Sequence, residues 1–152
     1  MVEEIKRTGR EFHLVGCETE PFLQTVLTLL GSGVELYMLN NGGKSNSLPY
    51  CIDYILELEG HFAGKDIYIE ESCSVVRHIL QGNTLGDKQC EVIRVFKAAM
   101  NEADRVFLMD TEQNNRLNFF HSLCPEKELI VIDHPVARTG PSGSVWHGAE
   151  VC

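Results

Sequence analysis

The chain has 152 residues, and its 13 Lys and Arg against 22 Asp and Glu give a formal net charge of −9. This length predicts one domain, and a hydrophobic fraction of 43% with a charged fraction of 23% is typical of a globular protein. The composition excludes a disordered, collagen-like or coiled-coil chain. The negative charge argues against duplex nucleic acid and anionic membrane surfaces as partners, because both are bound through clustered Lys and Arg.

The cysteines and the first residues bear on the compartment. Six cysteines are widely spaced and form no CxxC pair: Cys17, Cys51, Cys73, Cys90, Cys124 and Cys152. A chain of this length needs no disulfide bridges to fold, and residues 1–10 are polar and charged, unlike a secretory leader. No apolar run approaches the roughly 18 residues of a membrane span. We therefore expect reduced cysteines, a cytoplasmic location and no membrane span.

Apolar runs and helical periods alternate along the chain. Buried strands are predicted at residues 12–17, 34–39, 66–69, 105–109 and 129–132. Helices are predicted at residues 20–30, 48–58, 75–80, 90–100 and 117–123. Thr19 and Ser47 are the expected N-caps of the first two helices, because each precedes a proline in the first turn.

This alternation predicts the fold class. Apolar strands alternating with helices favour a parallel sheet covered on both faces, and right-handed crossovers make it doubly wound. We predict a three-layer, Rossmann-like α/β domain over residues 1–134. The number of apolar runs indicates about five strands, mainly parallel. Residues 135–152 are expected to form an irregular tail rich in Pro and Gly.

Function is expected at the carboxyl ends of the strands, where doubly wound sheets bind their ligands. Asp110 ends the fourth predicted strand, and Asp133 ends the fifth and precedes His134. Carboxylates and an imidazole on neighbouring strands suit manganese, iron or zinc, and such a metal can activate water for phosphate ester hydrolysis. The alternative for either aspartate is a helix cap or a turn residue.

A polar loop is predicted between the second strand and the second helix. It contains five candidate phosphate-binding residues: Asn41, Gly42, Gly43, Lys44 and Ser45. The loop ends like a P-loop, but Met38 stands where that motif has its first glycine. Its backbone N–H groups can still form a nest for an anion, and Lys44 adds a positive charge. The alternative is a plain surface loop.

Two segments resemble a known enzyme family. Residues 103–111 and 129–135, separated by one helix, resemble the second and third motifs of the DHH phosphoesterases, where a strand ending in Asp precedes a strand ending in Asp-His-His. The resemblance implies hydrolysis of phosphodiesters or phosphoanhydrides with two manganese ions held by Asp and His. The residues that carry over are Asp110, Asp133 and His134.

The same resemblance implies lost catalysis. The family has a His and paired Asp after its first strand, where this chain has Cys-Glu-Thr-Glu-Pro at residues 17–21, and Pro135 replaces the second His of the third motif. The tail is too short for the family's substrate-binding domain. We therefore expect a degenerate relative that is a ligand-binding or protein-assembly module, with a small phosphate-bearing ligand or a protein as partner and a homo-oligomer allowed. An active phosphoesterase that uses manganese or another divalent cation is the alternative.

A third hypothesis is a nucleoside-processing enzyme. Residues 91–106 resemble the arrangement in nucleoside deoxyribosyltransferases, which use a glutamate nucleophile. This resemblance implies that Glu70 or Glu71, at the end of the third predicted strand, would be that nucleophile.

Overall fold

A six-stranded sheet organises the residues that the computed structural model describes: 1–39, 46–81, 85–110, 117–133 and 149–151, with the backbone alone at 110, 133 and 149–151. The parallel strands are β1 (Phe12–Gly16), β2 (Leu48–Cys51), β3 (Asp66–Glu70), β4 (Arg105–Asp110) and β5 (Leu129–Asp133). They lie in the order β2-β1-β3-β4-β5, and a short strand β6 (Ala149–Val151) pairs with β5 in the antiparallel direction. The direction in which successive strands are added reverses between β1 and β3, which confirms the predicted doubly wound, Rossmann-like architecture.

Helices cover both faces of the sheet. One face packs against α1 (Val2–Thr8) and α2 (Glu20–Gly31). The other packs against α3 (Ser72–Gln81), α4 (Gln89–Glu102), α5 (Leu117–Leu123) and a 3₁₀ helix (Ile52–Leu58), and a second, three-residue 3₁₀ helix (Gly86–Lys88) precedes α4. No helix in the described part of the chain is long and apolar enough to cross a membrane.

The central strands are apolar along most of their length because both of their faces are buried. Phe12 and Leu14 of β1 enter the core beneath α1 and α2, whereas Val15 enters the core beneath α3 and α4. This alternation follows from the two-residue period of a strand. Continuous apolar runs, rather than alternating ones, are therefore the correct signal for β1, β3, β4 and β5.

The predicted second strand is wrong. Residues 34–38 have no regular secondary structure, and β2 lies at Leu48–Cys51 instead. Val34 and Leu36 pack beside the core formed by α1 and α2, which explains their apolar character without a strand. Pro49 is tolerated in β2 because this strand is at the edge and pairs with β1 alone.

The predicted helix that begins at Ser47 is also wrong in its start and type. The Ser47 hydroxyl accepts a hydrogen bond from the Phe12 N–H at 3.0 Å, so it caps no helix. Helical structure begins only at Ile52, after the strand, and is of the 3₁₀ type. The proline that favoured a first helical turn belongs to the strand.

Ion pairs link residues on the side of the sheet where the parallel strands begin, which we call the amino edge. Asp66, the first residue of β3, is 1% exposed and accepts hydrogen bonds from Arg10 (3.2 Å) and Arg105 (2.6 Å). Arg105 also donates to Glu4 of α1 at 2.8 Å. Hydrogen bonds from Arg7 and then from Arg105 lower the pKa of Glu4 to about 2. The network ties α1, which the sequence pattern did not predict, to β3 and β4.

Candidate functional site

The strand order reverses between β1 and β3. The candidate site is therefore the side of the sheet where the parallel strands end, which we call the carboxyl edge. The chain leaves β1 into α2 and leaves β3 into α3, so both helices begin beside the same crevice. Crevices of this kind are the ordinary ligand sites of doubly wound sheets. The side chains that follow β1 and β3 are therefore the first to consider.

One hydroxyl group links the starts of these two helices. Thr19 is the N-cap of α2, as predicted, and its Oγ1 accepts a hydrogen bond from the Phe22 N–H at 3.3 Å. The same hydroxyl donates to Glu71 Oε2 at 2.9 Å. The Glu71 carbonyl in turn accepts from the Val75 N–H at 3.0 Å in the first turn of α3. Thr19 therefore fixes the relative position of two helix N-termini.

Glu71 has a backbone conformation that is uncommon for its residue type. Its φ of +49° is the one positive value among the non-glycine residues that the structure describes. Such left-handed geometry carries strain in a residue with a side chain, and it tends to occur at functional positions. Here it turns the chain from the end of β3 into α3 while the side chain stays bonded to Thr19.

Glu70, the last residue of β3, is a buried carboxylate. It is 3% exposed, and its Oε2 accepts a hydrogen bond from Thr25 Oγ1 of α2 at 2.8 Å. Buried charges need such bonds to offset lost hydration. The acid pair Glu70–Glu71, which the sequence placed at a strand end, is thus bonded to two hydroxyl groups of α2, one at its N-cap and one in its second turn. Its role as a nucleophile stays a prediction.

A close approach between β1 and α2 shapes this edge. A Cβ atom placed on Gly16, the last residue of β1, would lie 2.4 Å from Cδ2 of the Phe22 ring. A side chain at this position would push the first turn of α2 away from the strand. Glycine at residue 16 therefore sets the distance between α2 and the crevice.

A cleft of about 350 Å³ opens at the same edge, between the end of β1 and α3. Its lining residues are Cys17, Ser74, Arg77, His78 and Gln81. The last four stand at positions i, i+3, i+4 and i+7 of α3, so they share one helix face. This polar stripe was the available signal, but only the fold reveals that it borders β1.

The cleft contains one exposed cation, Arg77. It forms no ion pair with any side chain in the described ranges, whereas the arginines of the amino edge are all paired. Its neighbour His78 lies 2.5 Å from Asp53 of the 3₁₀ helix, through Nε2 and Oδ1. An anion that entered the cleft would meet the guanidinium of Arg77. Neither Arg77 nor Asp53 is a candidate from the sequence pattern alone.

The thiol in the cleft is not activated. Burial, followed by the neighbouring Cys51 and acidic groups, raises the pKa of Cys17 to about 11. Cys17 is thus a protonated thiol at neutral pH, and its nucleophilic thiolate form is scarce. The cleft has the chemistry of a binding site more than that of a thiol enzyme.

The predicted metal ligands lie at the carboxyl ends of β4 and β5. The backbones of Asp110 and Asp133 are register partners, so their Cα atoms are separated by about 5 Å, the spacing of adjacent strands. Glu70 pairs in register with Met109, which places the end of β3 one strand from Asp110. Within the side chains that the structure describes, no group of three His, Cys, Asp or Glu could hold a metal. His134 lies outside the described residues.

The candidate phosphate loop, residues 41–45, lies outside the described residues. The residue pair that follows it, Asn46 and Ser47, leads into β2 at the amino edge, where Ser47 bonds to Phe12. The expectation that this loop directly follows a strand is wrong, because residues 34–38 are not a strand. Its exit is at the edge opposite the cleft, and phosphate binding by it stays a prediction.

Similarity to known proteins does not add to this geometry. Comparison of the chain with protein-family models, curated proteins and solved structures gives no match. The relationship to the DHH phosphoesterases therefore stays a prediction, and function is inferred from the carboxyl edge.

Proposed function

We propose that this chain is a Rossmann-like module that binds a small phosphate-bearing ligand in the cleft at the carboxyl edge. The observation that carries the proposal is the position of Arg77 on α3, facing the cleft beside the end of β1. Arg77 is an exposed cation without an ion-pair partner among the described side chains. A guanidinium matches phosphate oxygens with two parallel hydrogen bonds. In a chain of net charge −9, a cation so placed favours an anionic ligand at this point of the surface.

The two helix N-termini at this edge support an anionic ligand. Helix α2 has 12 residues and α3 has 10, and both begin beside the crevice between β1 and β3. The partial positive charge of a helix N-terminus favours phosphate. In α2 this charge is the main contribution, because Pro21 has no N–H and the Phe22 N–H is already bonded to Thr19. The Thr19–Glu71 hydrogen bond holds the two N-termini in place before a ligand arrives, which lowers the entropic cost of binding.

The proposed activity is binding without turnover. The cleft offers a protonated Cys17 and a cation, and these groups orient an anion without supplying a nucleophile. The sequence resemblance to the DHH phosphoesterases, with its first motif missing, likewise implies a module without turnover. The module thus fits a sensing or assembly role in which the ligand is retained.

Isothermal titration with inorganic pyrophosphate tests the proposal. We expect one saturable site, and we expect Arg77→Ala to weaken binding at least tenfold, because a hydrogen bond to a charged group contributes about 1.5–3 kcal/mol. Lys97→Ala is the matched control, since Lys97 is an exposed cation on α4, outside the cleft. Absent binding in the wild type, or equal affinity in the two variants, would refute the proposal.

A metal-dependent phosphoesterase is the second candidate, and the register of Asp110 with Asp133 favours it. These two carboxylates and His134 would hold manganese or another divalent cation. Such a metal would lower the pKa of its bound water for attack on a phosphate ester. Within the chain, the role of the three residues would be to fix the cation at the ends of β4 and β5.

Thermal melting in manganese separates this candidate from the first. Metal binding should raise the melting temperature by several degrees in the wild type. Asp133→Ala should abolish the increase, and Asp87→Ala, at an exposed acid in the short 3₁₀ helix, should retain it. A wild-type melting temperature that does not respond to millimolar manganese rejects the phosphoesterase candidate.

A nucleoside-processing activity is a third candidate, favoured by the burial of Glu70 at a strand end. A buried carboxylate beside a ligand crevice is suited to nucleophilic attack on a sugar carbon. The assay is base exchange between a deoxynucleoside and a free base. Exchange that persists in Glu70→Gln and Glu71→Gln would exclude the acid pair from that reaction.

A further inference from the structure

A second cavity lies at the amino edge, at the opposite end of the strands from the Arg77 cleft. It measures about 410 Å³ and lies between α1, the start of β1 and the segment that follows α2. This volume is within the range of small-molecule sites, about 300–1,000 Å³. The side chains that decide its chemistry are Ile5, Lys6, Glu11, Phe12, Val34 and Glu35.

The segment that follows α2 forms one wall of this cavity. The Val34 N–H donates to the Leu29 carbonyl at 3.0 Å, and the Tyr37 N–H donates to the Ser47 carbonyl at 2.8 Å. The segment is thus bonded to α2 at one end and to the residue before β2 at the other. Because the wall is held in place before a ligand arrives, the entropic cost of binding is lower.

Two acidic side chains, Glu11 and Glu35, line the cavity. Neither forms an ion pair with any side chain that the structure describes. Glu35 Oε1 accepts a hydrogen bond from the Tyr37 hydroxyl at 2.9 Å. The pKa of Tyr37 is raised, first by this hydrogen bond and more weakly by the charge of Glu11, so both acids lie near the same hydroxyl. Two carboxylates without counter-charge favour a ligand that carries cationic groups.

Helix α1 supplies one positive charge to the cavity. Lys6 Nζ donates to the Ser32 carbonyl, a neutral acceptor, at 2.7 Å and is in no ion pair with a described side chain. An ammonium group has three N–H donors, so Lys6 can also bond to an anion. Arg10 borders the cavity too, but its guanidinium is bonded to Asp66 and Asp104, which offset its charge.

Apolar side chains form another part of the lining. Ile5 of α1 and Phe12 of β1 are buried in the core beneath α1 and α2, and Val34 packs against the same core. A hydrocarbon chain in the cavity would lie against these groups and lose contact with water. The lining thus combines one cation, two carboxylates and apolar surface.

We propose that this cavity binds a free basic amino acid such as lysine or ornithine. The α-carboxylate of the ligand pairs with Lys6, its two cationic groups pair with Glu11 and Glu35, and its methylene chain packs against the apolar lining. One positive and two negative protein charges are then matched by one negative and two positive ligand charges. A diamine would leave Lys6 unmatched, and an amino acid with an apolar side chain would leave one carboxylate unmatched.

Isothermal titration with three probes tests the proposal in the wild-type protein. The probes are L-lysine, L-norleucine, which lacks the side-chain ammonium, and cadaverine, which lacks the carboxylate. We expect one saturable site for L-lysine, with an affinity at least about tenfold higher than for either other probe, because each of those leaves a protein charge unpaired. No binding of L-lysine, or equal affinity for all three probes, would overturn the proposal.

Substitutions locate the site. Glu11→Gln and Glu35→Gln should each weaken L-lysine binding at least about tenfold, because each removes one charged partner. Glu57→Gln, at an exposed acid of the 3₁₀ helix outside the cavity, is the matched control and should bind like the wild type. Lys6→Met should weaken binding of L-lysine and leave that of cadaverine unchanged.

The outcomes are distinguishable from those at the Arg77 cleft, because pyrophosphate takes no part in these titrations. L-lysine binding that is unchanged in both Glu11→Gln and Glu35→Gln, or equally weakened in Glu57→Gln, would overturn the proposal. Circular dichroism establishes that the variants are folded. The comparison of the three probes needs no variant, so it decides the matter even where a variant loses its fold.

Discussion

Strand β3 begins and ends in a buried carboxylate, and the two edges of the sheet hold these groups in different ways. At the amino edge, Asp66 lies between the guanidinium groups of Arg10 and Arg105. At the carboxyl edge, Glu70 accepts a hydrogen bond from the hydroxyl of Thr25. The amino edge is a charge network that links α1 to the sheet, whereas the carboxyl edge combines helix starts, hydroxyl groups and the Arg77 cleft. We infer that stability is concentrated at the first edge and phosphate binding at the second.

The largest expected effect is the loss of Asp66. Asp66→Asn should lower the free energy of unfolding by about 3 kcal/mol, because it leaves two guanidinium groups without their shared buried partner. Glu59→Gln, in an exposed pair with Arg94, should leave the free energy of unfolding almost unchanged, because solvent screens that pair. Urea unfolding measures both. Equal losses would contradict the assignment of the amino edge as the stabilising one.

A second effect depends on pH and arises in the amino half of β1. His13 is fully buried, its Nδ1 lies 2.9 Å from the Tyr50 hydroxyl, and burial lowers its pKa from 6.5 to about 3. In the unfolded chain, His13 is protonated below about pH 6.5, whereas in the folded chain it is protonated only below about pH 3. Stability should fall across that window on acidification, by at most about 1.4 kcal/mol per pH unit.

Urea unfolding between about pH 4.5 and pH 6.5 tests this dependence. His13→Phe should flatten the pH slope whatever its effect on absolute stability. His121→Gln, in α5, should leave the slope as in the wild type. A slope that persists in His13→Phe would assign the acid sensitivity to other groups.

A third effect concerns the close approach at the carboxyl edge. Gly16→Ala should cost about 1–3 kcal/mol of stability, because the new methyl group overlaps the Phe22 ring and displaces α2. It should also weaken pyrophosphate binding, since one of the two helix N-termini moves. Gly31→Ala, where nothing lies within 4 Å of the added Cβ, is the control and should retain both properties. Unchanged binding in a destabilised Gly16→Ala would separate the helix start from the ligand site.

The smallest expected effect on stability comes from Thr19. Thr19→Val should cost about 1 kcal/mol through the lost N-cap, and it should also weaken ligand binding by releasing Glu71. Thr28→Val is the control because the Thr28 hydroxyl bonds to a carbonyl of its own helix. Calorimetric titration of both variants measures the difference. Equal affinities would show that the link between α2 and α3 is structural only.

The sequence predicted the parts of the fold that local pattern determines. β1, β3, β4 and β5 are apolar because they are covered on both faces, and the period of α2 and its Thr19 cap follow from the same local physics. β2 was misplaced because residues 34–38 satisfy an apolar pattern by packing against a core edge, and because the proline in β2 imitates a helix start. Pro49 is accepted in β2 because β2 is the outermost strand. The position of a strand in the sheet is a property of the assembled fold, so the local sequence does not show it.

The site could be predicted only in outline. The topology rule located the carboxyl edge and named Glu70 and Glu71 at a strand end. Arg77 and Asp53 are candidates only because α3 and the 3₁₀ helix meet beside Cys17. These three residues lie far apart along the chain, so no local pattern connects them. Helix α1 was missed because its hydrophobic stripe is minimal and Glu4 holds it through a distant arginine.

An NMR titration with inorganic pyrophosphate tests the central claim most directly, because it reports which edge of the sheet meets the ligand. We predict saturable shifts of the amide signals of residues 16–20 and 71–78, around the cleft and the starts of α2 and α3. In the same titration of Arg77→Ala, those amide signals should not shift when pyrophosphate is added. Shifts confined to residues 9–12 and 46–47 at the amino edge, or no shifts at all, would contradict a ligand site at the carboxyl edge.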